Sequence, residues 1–107
     1  KQINTMKLSN LFGGGATANL QSIINEDTFL VDVRTPGEFA EGFVKGSVNI
    51  PLDKVAAELE KFKNKKNILV FCRSGARSGQ AKSILEQNGF TNVVNGGTWD
   101  AVNEFVK

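Results

Sequence analysis

A chain of 107 residues, 40% hydrophobic and 22% charged, can build one modest core and has the composition of a globular domain, neither disordered nor membrane-spanning. Its net charge of +2 is too small to argue for nucleic acid, and its single cysteine excludes an internal disulfide. With no histidine, a protein-only metal site is not expected, and Cys-His hydrolases, Ser-His-Asp triads and facial-triad iron enzymes are removed.

Residues 1–15 form an N-terminal arm in this reading. Ile3, Met6, Leu8, Leu11 and Phe12 are scattered, and Gly13-Gly14-Gly15 is a flexible break, so the folded domain is expected to span 16–107. Residues 16–25 place Leu20, Ile23 and Ile24 on one helical face. Phe29 to Val33 reads as a strand, Thr35-Pro36-Gly37 as a breaker, and Pro36 to Glu41 as one or two helical turns. Ser47 to Ile50 is a short strand ended by Pro51. Asp53 is placed to cap a helix running to Phe62, with Val55, Leu59 and Phe62 as its buried stripe. Ile68 to Phe71 is a buried strand, and 76–88 is a helix stopped by Asn88-Gly89. Phe90 to Val94 is the next strand, Gly96-Gly97 a turn, and Thr98 to Val106 the last helix. This alternation predicts a mainly parallel central sheet with helices on both faces and right-handed crossovers. No run is long enough for a membrane helix, and the lysines between Lys54 and Lys66 read as a solvated face.

The chemistry concentrates in Cys72-Arg73-Ser74-Gly75-Ala76-Arg77-Ser78, where a buried strand passes through a short loop into a helix. Loop amides, the helix end and two guanidinium groups all favour a thiolate over a thiol. Gly75 lets successive N–H groups turn toward one centre. A thiolate without histidine lacks an acid for a poor leaving group, so attack on sulfur, phosphorus or arsenic is expected, on an anionic substrate. Four residues between Cys72 and Arg77 make a tight loop, suited to a held sulfur atom. Asp32, Arg34 and Glu38 are the supporting candidates: Asp32 and Glu38 as carboxylates bracing the loop, Arg34 as a salt-bridge partner or substrate-facing cation. Arg73 is assigned to the mouth and Arg77 to bracing. Trp99 is expected in the core. The run Gly13-Gly14-Gly15-Ala16-Thr17-Ala18 with Asp32 imitates a dinucleotide fingerprint, but no buried strand precedes it and a hinge is favoured.

The cysteine loop resembles that of single-domain rhodaneses, the thiosulfate sulfurtransferases. The resemblance covers about residues 17–105 and includes Asp32-Val33-Arg34, Glu38-Phe39, Gly42, Gly46, Asn49-Ile50-Pro51 and Gly96-Gly97. The chain departs from that pattern at Phe43, where the family often has histidine, and at Ala101, where tryptophan commonly follows the glycine pair. The resemblance implies a three-layer rhodanese-like α/β domain with Cys72 as catalytic nucleophile. It implies that Arg73, Ser74, Gly75, Ala76, Arg77 and Ser78 bind the substrate, with no cofactor and no metal. Sulfur would pass from a small anionic donor such as thiosulfate to cyanide or a thiol acceptor, which could be a protein. A monomer is expected, with no nucleic-acid or membrane partner. A cytoplasmic location is expected, with export the alternative for a chain that starts at Lys1. The competing readings are a persulfide carrier or interaction module that does not turn over, and a cysteine phosphatase or arsenate reductase of the same fold.

Overall fold

The computed structural model describes residues 20–106. The expected arm at 1–15 and the start of the first helix lie outside them. Within them are α1 (Leu20–Ile23), β1 (Thr28–Asp32), α2 (Pro36–Glu41), β2 (Val48–Asn49), a 3-10 helix (Leu52–Phe62), β3 (Asn67–Cys72), α3 (Ala76–Gln87), β4 (Val93–Thr98) and α4 (Trp99–Glu104). The four strands lie in the order β2-β1-β3-β4, and every pairing is parallel.

Strand periodicity divides the core in two. Side chains of a strand alternate between faces, so β3 sends Ile68, Val70 and Cys72 to one side and Leu69 and Phe71 to the other. The first set packs with Val31, Val33, Val55, Phe62, Ala81 and Leu85, beneath α3 and the 3-10 helix. The second set packs with Leu20, Leu30, Val44 and Val102, beneath α1 and α4. Because β3 is central, its residues from Ile68 to Cys72 are all fully buried. Cys72 is therefore the last residue of the most enclosed strand, at the carboxyl end of a parallel sheet.

Three sequence expectations change. Asp53 does not cap the segment after Pro51: the helix opens at Leu52, no side chain caps it, and Asp53 falls inside the first turn. That segment is also a 3-10 helix, kinked at Glu58, with Leu59 only half-buried. The last strand runs Val93–Thr98 rather than 90–94, so Gly96-Gly97 is part of a strand and not a turn. There β4 carries a bulge: Val70 lies opposite Asn95 and Phe71 opposite Gly97, leaving Gly96 as the extra residue. Glycine is required at 96 by space, since a Cβ would come 2.5 Å from Leu69 Cδ2 and 3.2 Å from Val102 Cγ2. Consequently α4 starts later than expected, with Thr98 as its cap accepting from the Ala101 N–H at 3.2 Å.

Gly96→Ala is expected to destabilise the domain by about 1–3 kcal/mol, because buried Leu69 and Val102 cannot both retreat. Urea unfolding reads this directly; a loss under about 0.5 kcal/mol, the usual scatter of surface substitutions, would show that the strand is not held there.

Candidate active site

At the end of β3 the chain turns through Arg73, Ser74 and Gly75 into α3. Gly75 precedes the helix with φ +99, a left-handed conformation that L side chains rarely adopt, and it lies 3.6 Å (from an ideal Cβ) above the Gly97 Cα. This turn directs the Gly75 N–H back to the sulfur, 3.0 Å from Cys72 Sγ. One turn into α3, the fully buried Ser78 places its hydroxyl 3.5 Å from the same sulfur. Cys72 has no exposed surface, and burial by itself pushes its thiol up. The Ser78 hydroxyl and the N–H groups of Ser78, Gly75 and Ser74 outweigh that effect and leave the thiol more acidic than usual. Ser74 and Ala76 are exposed on the outer side of the loop.

Arg77 and Glu38 form the brace. Glu38 Oε1 and Oε2 accept from Arg77 at 2.8 and 3.1 Å, a two-pronged contact. Glu38 also closes the capping box of α2 with Thr35, whose N–H donates to Oε1 at 2.9 Å. The Arg77 guanidinium, followed by the Thr35 N–H, holds the Glu38 carboxyl down at about 2. Arg73 is exposed and reaches Glu38 only at 3.6 Å, so its guanidinium stays largely in solvent.

Asp32 does not reach the cysteine loop. In the parallel register it lies beside Phe71, so its side chain leaves the sheet on the face opposite Cys72. There it pairs with Arg34 instead: Oδ2 accepts from Nη2 at 2.7 Å and from Nε at 2.9 Å, while Oδ1 accepts the Arg34 backbone N–H at 2.9 Å. Arg34 is 2% exposed, donates to the Gly42 carbonyl at 2.7 Å, and lies 4.6 Å from the centre of the Trp99 ring. Arg34 is thus a salt-bridge partner, and its orientation follows from Asp32. Trp99 is half-buried: its ring packs on the second core cluster and also walls a cleft beside the loop. Phe43, at the position of the family's histidine, is exposed and stacked on Phe39 at 4.8 Å.

A cleft of about 280 Å³ lies beside the loop, lined by Arg34, Glu38, Glu41, Arg73, Trp99 and Asp100. Its charge is mixed rather than cationic. Arg34 and Arg77 are neutralised by Asp32 and Glu38, which leaves Arg73 facing Glu41 and Asp100.

Sequence reading missed Asn95. Its Nδ2 donates to the Gly75 carbonyl at 3.2 Å, and its Oδ1 accepts from Gly97 N–H at 3.0 Å and from the Ser78 hydroxyl at 2.7 Å. The available signal was a polar side chain immediately before a glycine pair, which read as turn chemistry.

Residues 16–100 match the Rhodanese-like domain family. The chain is 37% identical over 70 residues to a sulfurtransferase of Allochromatium vinosum, covering 65% of each. It is 41% identical over 69 residues to the thiosulfate sulfurtransferase PspE of Escherichia coli, covering 63% of this chain and 66% of that one. The match thus spans just under two thirds of both relatives. Among solved structures, a rhodanese with anions from E. coli superposes with a TM-score of 0.63 at 37% identity, over 69% of this chain and 89% of that one.

The Glu38–Arg77 pair makes stability depend on pH. Glu38 titrates near 2 in the folded chain against an ordinary 4.5, so its stabilisation is complete above about 4.5 and is lost as pH falls through 2. Glu38→Gln keeps one acceptor oxygen for Thr35, removes the charge and replaces the second oxygen that Arg77 uses with an NH2 donor. It should cost about 1 kcal/mol at neutral pH, discounted because both side chains are partly solvated, and the difference from wild type should shrink as pH falls and vanish only below pH ~2. Urea unfolding at several pH values checks this; a pH-independent difference would rule out the ion pair as its source.

Proposed function

The chain belongs to the rhodanese-like domain family, and from that premise we propose that it is a sulfurtransferase carrying sulfane sulfur on Cys72, with thiosulfate or a related anion as donor. The observation that carries the reading is the hydrogen-bonded sulfur: the Gly75 N–H at 3.0 Å and the Ser78 hydroxyl at 3.5 Å meet the sulfur of a thiol more acidic than usual. The Cys72 thiolate attacks the outer sulfur of thiosulfate, a new S–S bond forms, and the old one breaks with its electron pair leaving on sulfite. No general acid is needed, because sulfite departs readily as an anion, which suits a chain without histidine. The persulfide keeps one negative charge at the loop, where the same N–H donors hold it. Cyanide or a thiolate then takes the terminal sulfur and restores the Cys72 thiolate, a double displacement.

Cys72 exposes no surface in this conformation, so a donor reaches it only when its surroundings open. Arg73, exposed and loosely held, is the group that draws an anion there. The four residues between Cys72 and Arg77 favour one held sulfur atom over a phosphate, because they leave little room for three further oxygens.

Incubation with thiosulfate followed by non-reducing intact mass should show wild type gaining one sulfur atom and Cys72→Ser gaining none; an unchanged wild-type mass would dismiss the persulfide. Sustained thiocyanate production with cyanide separates an enzyme from a carrier, which would deliver a single equivalent and stop.

Arg73→Ala should raise the KM for thiosulfate roughly fivefold, the equivalent of about 1 kcal/mol for an exposed charge. Its unfolding midpoint should stay at the wild-type value. Equal losses of activity and stability would instead make Arg73 a structural residue.

A further inference from the structure

The Ser78 hydroxyl has one proton and three neighbours able to accept it: Asn95 Oδ1 at 2.7 Å, the Gly75 carbonyl at 3.1 Å and Cys72 Sγ at 3.5 Å. The Gly75 carbonyl already receives the Gly79 N–H at 3.0 Å and Asn95 Nδ2 at 3.2 Å, which occupy its two lone pairs. The proton therefore chooses between Asn95 and the sulfur. Asn95 cannot change its side of the exchange. Turning its amide over would set Nδ2 against the Gly97 N–H and Oδ1 against the Gly75 carbonyl, so an acceptor always faces Ser78.

We propose that Asn95 is a positioning residue for the nucleophile, holding the Ser78 proton while Cys72 is a thiol and releasing it to the sulfur when Cys72 is a thiolate or persulfide. In the thiol state Ser78 donates to Asn95 and its oxygen accepts the S–H, so each group is paired. On ionisation the thiol proton leaves to solvent, the Ser78 hydroxyl rotates, and its O–H points at the anionic sulfur. Asn95 Oδ1 then keeps the Gly97 N–H and is not left unpaired. Asn95 thus competes with the thiolate for a donor and sets how readily the thiolate forms. The charged groups nearest the loop are Arg73 on it, Arg77 on α3, Glu38 and Glu41 on α2, Asp32 at the end of β1 with Arg34 just after it, and Asp100 on α4. Among the described residues Asn95 bonds to Ser78, Gly75 and Gly97 and to none of these charged groups, so its substitution leaves them in place.

This inference deepens the Cys72 reading, but its test uses no sulfur donor, so the two fail separately. With one cysteine and no tyrosine, the far-ultraviolet absorbance that rises with pH belongs to the Cys72 thiolate alone, and Cys72→Ser supplies the blank. Ser78→Ala should move the titration midpoint to higher pH. Asn95→Ala removes the nearer acceptor at 2.7 Å and leaves the Gly75 carbonyl at 3.1 Å, still held by the Gly79 N–H, so it should move the midpoint lower, by about half a pH unit, within the size of one neutral hydrogen bond. Asn95→Leu, which keeps the branched side-chain shape, should do the same and carries the test if the alanine variant does not fold. In the Ser78→Ala background the Asn95 substitutions should move the midpoint by nothing, because no proton remains to compete for. An upward shift, no shift, or the same shift with and without Ser78 would overturn the proposal and leave Asn95 a structural brace.

Discussion

A sulfur atom with no exposed surface can be ionised only where the protein supplies the donors that water would have given it. Much of the geometry at the carboxyl edge of the sheet answers to that constraint. The Gly75 N–H reaches the sulfur because Gly75 is left-handed, and Gly75 can lie so low because the strand beneath it is glycine at 97. The bulge in β4 brings Gly97, rather than Gly96, opposite Phe71 and turns Asn95 toward Ser78. A residue pattern on one strand is therefore set by the needs of an atom on its neighbour. The same contacts explain why a cysteine that packs within the apolar core is not inert: its neighbours on one side are Val70 and Ala81, but the atoms nearest its sulfur are hydrogen-bond donors.

Charge is arranged so that little of it remains free. A buried guanidinium costs several kcal/mol unless paired, and Arg34 meets that cost with both Asp32 oxygens, the Gly42 carbonyl and the Trp99 face. Arg77 is neutralised by Glu38 in the same manner at partial exposure. Four charged side chains beside the loop thus act as two internal ties. The field met by an approaching anion comes from Arg73, opposed by Glu41 and Asp100, and it operates through solvent. Counting arginines in the motif overstates the positive potential, because a motif does not reveal which of its charges are already paired.

Elements whose evidence lies within their own residues were legible. The apolar run 68–71 could only be a central strand, and the helix after Gly75 follows from its residues and its Asn88-Gly89 stop. The cysteine loop announced its chemistry for the same reason, since thiol, amides and guanidinium groups are consecutive. What escaped depends on register or on a partner far along the chain. Asp32 looked like a brace for the loop because it ends a neighbouring strand; that it points to the other face follows from its pairing with Phe71, which no local pattern encodes. Glu38 and Arg77 are thirty-nine positions apart, so the sequence could offer Glu38 beside Asp32 as the carboxylate partner but not choose between them. Gly96-Gly97 carries turn chemistry, and the strand wins because Leu69 and Val102 fill the space any side chain would need.

The two faces of the sheet are joined beside the cysteine loop by α2, which contains no buried residue. A helix of six residues gains too little from its own hydrogen bonds to persist alone, and this one lacks the apolar stripe that usually holds such helices. It is fastened instead at both ends by arginines from opposite faces. Near its start, Glu38 takes Arg77 from the side of α3; at its end, the Gly42 carbonyl takes Arg34 from the side of α4. The wall of the cleft is therefore an electrostatic strap and not part of the packed core, with fewer apolar contacts to resist local opening. That division suits a nucleophile which must be held among donors to stay ionised and reached from solvent to react: the core and the loop N–H groups fix the sulfur, and polar ties, weaker and individually replaceable by water, hold the wall beside it.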